Sequence, residues 1–444
     1  MIVIIASDTT WTKAGSPYTF STSVVVYKGV TLRIEQGVTV NLQDSTLLVN
    51  GTLHAVGSVT DPIHLNGGKM TMPQSADGSI IENAVISIPL SSNGILRIAS
   101  SSVNAEISVG SQSEILDNNI TGTVTVTASA VVSNNKIKGD IRVTGGAPTI
   151  SNNEISGKVY TYTGKATGLM PVTSNNKITN GGIACLGGNG YGGYAYISGN
   201  TISECDTAII GGDGTIEGNL IMNNNEGIQI MNGIVRGNTI TNNSKGIYLP
   251  KVGVYFFGFG YIEVSPTITD NNIYANIDCN IYLQASNNVS AANNWWGTTN
   301  TQDINRTVHD FKYDLNVGTV NFIPFLDSPN PEAPAAAPTQ GSATTLIQDH
   351  TRTSPKEISP EDSPSPAASS ATELFHPDVA AFPAPYEPIG MPPQNLETSL
   401  SPRDNSFIPQ ANSSWINWIV AFTVAVLVTV SIGLAMAAIG KRRA

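Results

Sequence analysis

Gly199–Leu249 reads GNTISECDTAIIGGDGTIEGNLIMNNNEGIQIMNGIVRGNTITNNSKGIYL. Asn200, Asn219 and Asn238 stand 19 residues apart, and Ile202, Ile221 and Ile240 follow each at the same offset. A second phrase trails the first: Gly227-Ile228-Gln229-Ile230, then Gly246-Ile247-Tyr248-Leu249, with Ile209 and Ile281 as near-equivalents. Each phrase alternates apolar and polar residues over three to five positions, the pattern of a short strand with one buried face. Gly and Asn at the joints supply the positive φ that a sharp corner requires.

Working outward, the Asn-x-Ile phrase recurs at Asn118/Ile120, Asn135/Ile137, Asn153/Ile155, Asn176/Ile178 and Asn271/Ile273, with a variant at Asn293/Trp295. The mean period is about 22 residues, and such self-similarity means a solenoid. Two or three short strands per repeat with Asn/Gly corners make one coil of a parallel β-helix, so the expected fold is all-β. Equivalent residues then stack about 4.8 Å apart. Ile202, Ile221 and Ile240 are expected in an internal ladder, and Asn200, Asn219 and Asn238 in a corner ladder joined by their amides. The same register pairs Glu217 with Arg236 and Glu226 with Lys245. Alternating Val30, Leu32, Ile34 and Val38, Val40, Leu42 mark the first coils, whereas 66–110 shows no clear register.

These readings place the β-helix at 21–327. Met1–Ala6 is apolar but short for a signal-peptide core, so residues 1–20 are read as an N-terminal cap or signal remnant. The stretch KVGVYFFGFGYIEV at 251–264 breaks the period and reads as a protruding hairpin or flap. Trp295 and Trp296, with Phe322–Leu326, are expected to close the C-terminal end of the Ile ladder.

Beyond the repeats, 328–412 holds most of the chain's 25 prolines among Ser, Thr and Ala. Such composition cannot build a core and reads as a disordered stalk. Trp418–Ile439 (WIVAFTVAVLVTVSIGLAMAAI) contains no charge, and about 20 such residues span a bilayer. A transmembrane helix is therefore expected at 413–440. Trp415 and Trp418 lie at one interface, and Lys441, Arg442 and Arg443 in the tail 441–444 lie at the cytoplasmic one. The bilayer is thus the expected partner, with the β-helix held outside the cell.

Only 12% of residues are charged, and the formal net charge is −11. A phosphate-binding surface needs clustered Lys and Arg, so nucleic acid is excluded as a partner. Three cysteines without a CxxC pair make neither a disulfide framework nor a zinc knuckle. The five histidines are scattered at 54, 64, 309, 350 and 376, so no metal site is expected.

The NNxI/GNTI repeats, the terminal Asn293-Asn294-Trp295-Trp296-Gly297 and the closing Phe322-Ile323-Pro324-Phe325-Leu326 resemble right-handed parallel β-helix proteins of the pectin-lyase-like superfamily, in particular surface-anchored members from archaeal and bacterial envelopes. That resemblance implies a right-handed β-helix over roughly 20–326. It also implies a choice between polysaccharide chemistry and simple binding or scaffolding. A lyase of this kind needs clustered carboxylates for Ca²⁺ and a basic residue, and a hydrolase needs convergent carboxylates. Glu204, Asp206 and Asp213 are the candidate catalytic carboxylates. His309, Asp310 and Asp314 form a second small cluster, read as structural. The expectation is a surface protein contacting extracellular or envelope polysaccharide, with no cofactor unless a lyase binds Ca²⁺. The alternatives are an anchored lyase or glycoside hydrolase and a purely structural envelope component.

Overall fold

The structure is a computed structural model and describes residues 2–110, 112–163, 168–186, 193–251 and 263–336. Nearly every described element is a short strand, and every named strand pairing is parallel. One coil shows the plan. Thr215–Glu217, Leu220–Met222 and Glu226–Gln229 are three strands separated by corners. Each stacks on its equivalent in the coils before and after, so the chain forms a parallel β-solenoid with three faces. The first face is a 13-stranded sheet running from Thr9–Trp11 to Thr267–Thr269. The second and third faces together make a 26-stranded sheet.

The core is three ladders, one per face. Ile197, Ile216, Val235 and Ile268 align on the first face. Ile202, Ile221, Ile240 and Ile273 align on the second, and Ile209, Ile228, Ile247 and Ile281 on the third. The second-face and third-face residues are all fully buried. Burying one such side chain contributes about 1.5–3 kcal/mol, so successive coils are held mainly by this repeated apolar seam.

The corner after the first face carries the Asn ladder. Asn200, Asn219, Asn238 and Asn271 are at most 1% exposed. Asn219 Oδ1 accepts from the backbone N–H and the Nδ2 of Asn200, both at 2.9 Å. Asn219 Nδ2 in turn donates to Asn238 Oδ1 at 2.9 Å. The ladder continues unbroken from Asn118 to Asn294. Directly before each ladder Asn sits a residue in the left-handed region, such as Asp117, Asn134, Asn152, Gly199, Gly218 or Asn293. Gly, Asn and Asp tolerate that conformation at low steric cost, which is why the repeat reads Asn-Asn or Gly-Asn. A parallel amide ladder at the next corner joins Asn224, Asn243, Asn276 and Asn280.

Several expectations change. Sequence separation along the Asn ladder is 17 to 19 residues for the regular coils and rises to 23, 24 and 33 where insertions occur. The 22-residue mean therefore averages short coils and long insertions. That also explains the lost register at 66–110, where regular coils such as Ile81, Ile98 and Ile115 are stacked. Residues 1–20, expected as a cap, supply three strands that pair in register with the following coil. Their aromatic residues close the end: Trp11 stacks on Tyr18 at 5.0 Å and on Phe20 at 5.2 Å.

At the other end, the last ladder Asn is Asn294 rather than Asn293, because Asn293 is the left-handed corner residue. Adjacent strand residues point to opposite sides, so only Trp296 enters the core position. It is 3% exposed and meets Phe322 edge-on at 6.1 Å. Trp295 faces outward. The start of the expected stalk also differs. Residues 328–336 fold back over the second face, where Asn330 N–H donates to Asn272 Oδ1 at 2.7 Å and Asn272 Nδ2 donates to Asn330 O at 3.1 Å. Thr239 Oγ1 reaches Pro334 O one coil further back.

Among the described residues no helix is long and apolar enough to cross a membrane. The apolar run expected to do so, with Trp415, Trp418, Lys441, Arg442 and Arg443, lies outside the described residues. So do 337–412 and the aromatic insertion at 252–262.

Candidate functional site

Outward positions on the third face are free to carry chemistry, because the core uses only the inward ones. Over three consecutive coils this row reads Tyr248, Tyr282, His309. The rings lie 5.9 Å and 5.8 Å apart, centroid to centroid. Tyr313, arriving from the following loop, stacks on His309 at 4.3 Å and 26°. Four aromatic rings thus form a continuous strip across strand-spaced backbone.

The polar groups around the strip are fixed. Tyr248 Oη donates to Gln284 Oε1 at 2.7 Å. Lys245 Nζ lies 5.4 Å and 5.2 Å from the Tyr248 and Tyr282 rings and bonds Glu226 Oε1 at 3.0 Å. That hydrogen bond, against the opposing effect of burial, raises the Lys245 pKa, so it stays a cation. Burial, followed by the Glu226 charge, raises the Tyr248 pKa, so its hydroxyl remains a donor.

Tyr282, Gln284, His309, Asp310, Tyr313 and Asp314 line a cleft of about 600 Å³, with Lys251 and Glu263 at its edge. Asp310 is 4% exposed. Its burial opposes ionisation, but Lys312 Nζ and the Val320 and Lys312 N–H groups bond it and hold its pKa below the usual carboxylate range. It is therefore a structural anion that pins the loop carrying Tyr313. Asp314 is exposed, and the Asn316 N–H and side chain hold its pKa down as well. Tyr313 is 58% exposed and offers an open ring face. A rim of planar apolar faces set among fixed donors and acceptors suits a ligand with C–H faces and hydroxyl edges.

The sequence-derived carboxylates do not join this site. Glu204 occupies a left-handed corner with φ of 59°, in the slot taken by Asn223 in the next coil. Asp206 accepts from Asn225 Nδ2 at 2.9 Å. Asp213 lies beyond the strand Thr207–Ile210, and four extended residues put it about 13 Å away. These three carboxylates do not converge on one point. Among the described residues no group of three or more His, Cys, Asp or Glu is placed to hold a metal ion.

Glu217 and Arg236 stack in successive coils and bond at 2.6 Å, with Tyr196 Oη also donating to Glu217. His309, Asp310 and Asp314, read from sequence as a structural cluster, border the cleft, with only Asp310 buried. The aromatic strip itself went unread. Its signal was present in the matching phrases Gly246-Ile247-Tyr248-Leu249 and Asn280-Ile281-Tyr282-Leu283, which place two tyrosines in one register.

No protein-family model matches this chain, and no curated protein or solved structure is significantly similar to it.

Proposed function

We propose that this protein is a surface-displayed β-solenoid that binds polysaccharide through the Tyr282–His309–Tyr313 cleft. The observation carrying this reading is the stacked aromatic strip beside Gln284, Asp310 and Asp314. Pyranose rings present C–H faces to aromatic rings and hydroxyls to amides and carboxylates, and this cleft supplies both. The resemblance of the repeats and the NNWWG terminus to right-handed β-helix proteins of the pectin-lyase-like superfamily supports the same ligand class. The charge-free run 418–439 with its basic tail supports a single C-terminal membrane span, with the solenoid outside the cell.

Binding, rather than bond cleavage, is the proposed activity, because among the described residues the cleft offers no pair of carboxylates free of structural partners. Asp310 is committed to Lys312 and Val320.

The test is glycan binding by the purified full chain, measured on an array and then by calorimetry. Tyr282→Ala and Tyr313→Ala should each weaken binding about tenfold, the scale of one lost aromatic contact. Glu204→Gln should leave it unchanged. Failure of the chain to bind any polysaccharide, or binding by both tyrosine variants as tight as by the unaltered protein, would overturn the reading.

A further inference from the structure

The segment after the last coil makes contacts that lie outside the core. Among the described residues the apolar core ends at Phe322, with Phe325 packed against it, and no residue of 328–336 belongs to it. Yet this segment covers outward positions of the second face. Further toward the N-terminus Asn119, Lys136, Lys138, Glu154 and Lys177 hold outward positions on that face and are exposed. The outward residues Thr239 and Asn272 are 1% and 6% exposed. With Tyr274 and Trp295 they form a patch without charge.

Asn330 is the centre of the contact. Its N–H donates to Asn272 Oδ1 at 2.7 Å, and its carbonyl accepts from Asn272 Nδ2 at 3.1 Å. One side-chain amide thus presents an acceptor and a donor to the backbone of one residue, as a neighbouring strand would. Among neutral side chains only Asn and Gln offer both groups in one plane. Asn330 Nδ2 donates to Asp270 O. Asn330 Oδ1 accepts from the Glu332 N–H at 3.0 Å, and Asn330 O accepts from the Ala333 N–H at 3.3 Å. That last bond closes a turn over 330–333, in which Asn at the first position and Pro331 at the second are favoured types. The turn brings Pro334 O to Thr239 Oγ1, one coil back. Every polar group of Asn330 is therefore engaged.

The contact is specific without being tightly packed. Trp295, Tyr274, Pro329, Pro331 and Pro334 line a cavity of about 500 Å³ between the segment and the face. Within 328–336 only Ala333 is buried. A contact made of hydrogen bonds and one methyl group can open while the Ile ladders stay whole, because water replaces each bond. Leu326 N–H is bonded to Asn294 O at 3.0 Å, and only three residues separate it from Asn330. The turn is thereby held close to its site and recloses.

We propose that the Thr239–Asn272–Trp295 patch is a recognition site for an Asn-Pro turn, and that residues 329–334 are its ligand in cis, a latch that opens and closes without unfolding the solenoid. Trp295, Asn272 and Thr239 belong to successive coils. The closed latch therefore carries the chain two coils back from the Trp295 coil, about 10 Å along the stack. It lies on the second face and shares no residue with the third-face cleft.

The test replaces 328–336 by glycine and serine at equal length in the full chain and titrates it with a synthetic peptide of sequence 328–336. The replaced chain should bind the peptide at millimolar concentration, the effective-concentration scale of a short tether. The unaltered chain should bind it at least about tenfold more weakly, because its site is filled. Asn272→Asp in the replaced chain keeps an acceptor for the peptide's Asn N–H but sets an oxygen against the carbonyl, and should weaken peptide binding about tenfold. Amide exchange reads the latch itself. The Ile240 and Ile273 amides should stay protected in the replaced chain. In the unaltered protein the Asn330 N–H should exchange at least about tenfold faster than the Asn271 N–H of the ladder.

No peptide binding by the replaced chain, equal binding by both chains, or an Asn272→Asp variant that binds as tightly as its parent overturns the recognition site. Lost protection at Ile240 and Ile273 in the replaced chain, or an Asn330 amide as protected as that of Asn271, overturns a latch that moves independently of the solenoid.

Discussion

Replacing Asn219 tests whether the amide ladder or only the Ile seam holds the coils together. Asn219 is fully buried. In Asn219→Ala, the Asn200 backbone N–H loses its acceptor, Asn219 Oδ1 at 2.9 Å, whereas Asn200 Nδ2 loses the same oxygen but still donates to Thr173 O and Ser198 O. Asn238 Oδ1 stays satisfied, because the Asn219 backbone N–H still donates to it at 2.9 Å. One orphaned buried donor, the Asn200 N–H, gives an expected loss of about 1–3 kcal/mol. Asn219→Asp adds a second effect. One carboxylate oxygen keeps the Asn200 bonds, but the other faces Ile197 O, Glu217 O and Asn238 Oδ1, which now receive from Asn219 Nδ2. Three acceptors around a buried anion raise its folded pKa above the unfolded value. The variant is then weakest at neutral pH and regains stability as pH falls through that raised pKa. Urea unfolding of the purified protein followed by far-ultraviolet circular dichroism reads the loss. Amide exchange should show it confined to coils near 200, 219 and 238, because solenoid coils contact only their neighbours. A loss for Asn219→Ala below about 1 kcal/mol, or an Asn219→Asp profile parallel to wild type between pH 4 and 8, would refute the ladder's energetic role.

Three further outcomes follow from the same geometry. Trp296→Ala should cost about 3–5 kcal/mol by opening the C-terminal end of the core, and Trp295→Ala distinctly less, read as unfolding midpoints. Burial pushes the Cys185 and Cys279 thiols up to about 11 and about 12, so a thiol reagent at pH 8 should label them in the native protein only after urea is added. Hydrogen bonds from Tyr196 and Arg236 hold Glu217 below its usual pKa, against burial; its contribution is present above the unfolded carboxylate pKa and lost as pH falls through the folded one. Glu217→Gln should therefore flatten the acid side of the stability profile by roughly 0.2–1 kcal/mol, the scale of a half-exposed pair.

The repeat was legible because two physical demands coincide at each corner. The residue before the ladder must adopt positive φ, and the ladder residue must satisfy four or five buried polar contacts. Few residue types meet either demand, so Gly-Asn and Asn-Asn survive even where strands vary. Glu204 shows the converse. It sits in the same left-handed slot, yet its carboxyl made it look chemical rather than structural. Coil length was poorly legible because insertions leave the strand ladder intact: Asn238 bonds Asn271 across 33 residues at 2.9 Å, the same distance as Asn200 to Asn219. A mean period therefore says little about the number of residues any one coil needs.

Surface function was less legible for a related reason. The inward positions are constrained by volume and polarity at every coil, so a single sequence displays them repeatedly. An outward row is constrained only where something touches it. Tyr248, Tyr282 and His309 share one row, but His309 is a different residue type and Tyr313 comes from a loop, so only stacking reveals them as one strip. The carboxylates at 204, 206 and 213 are close in sequence but divided between two corners by a four-residue strand. In a solenoid, residues that act together are separated by whole coils, and residues adjacent in sequence turn away from one another. Candidate sites are therefore better sought along the register, one coil apart, than along the chain.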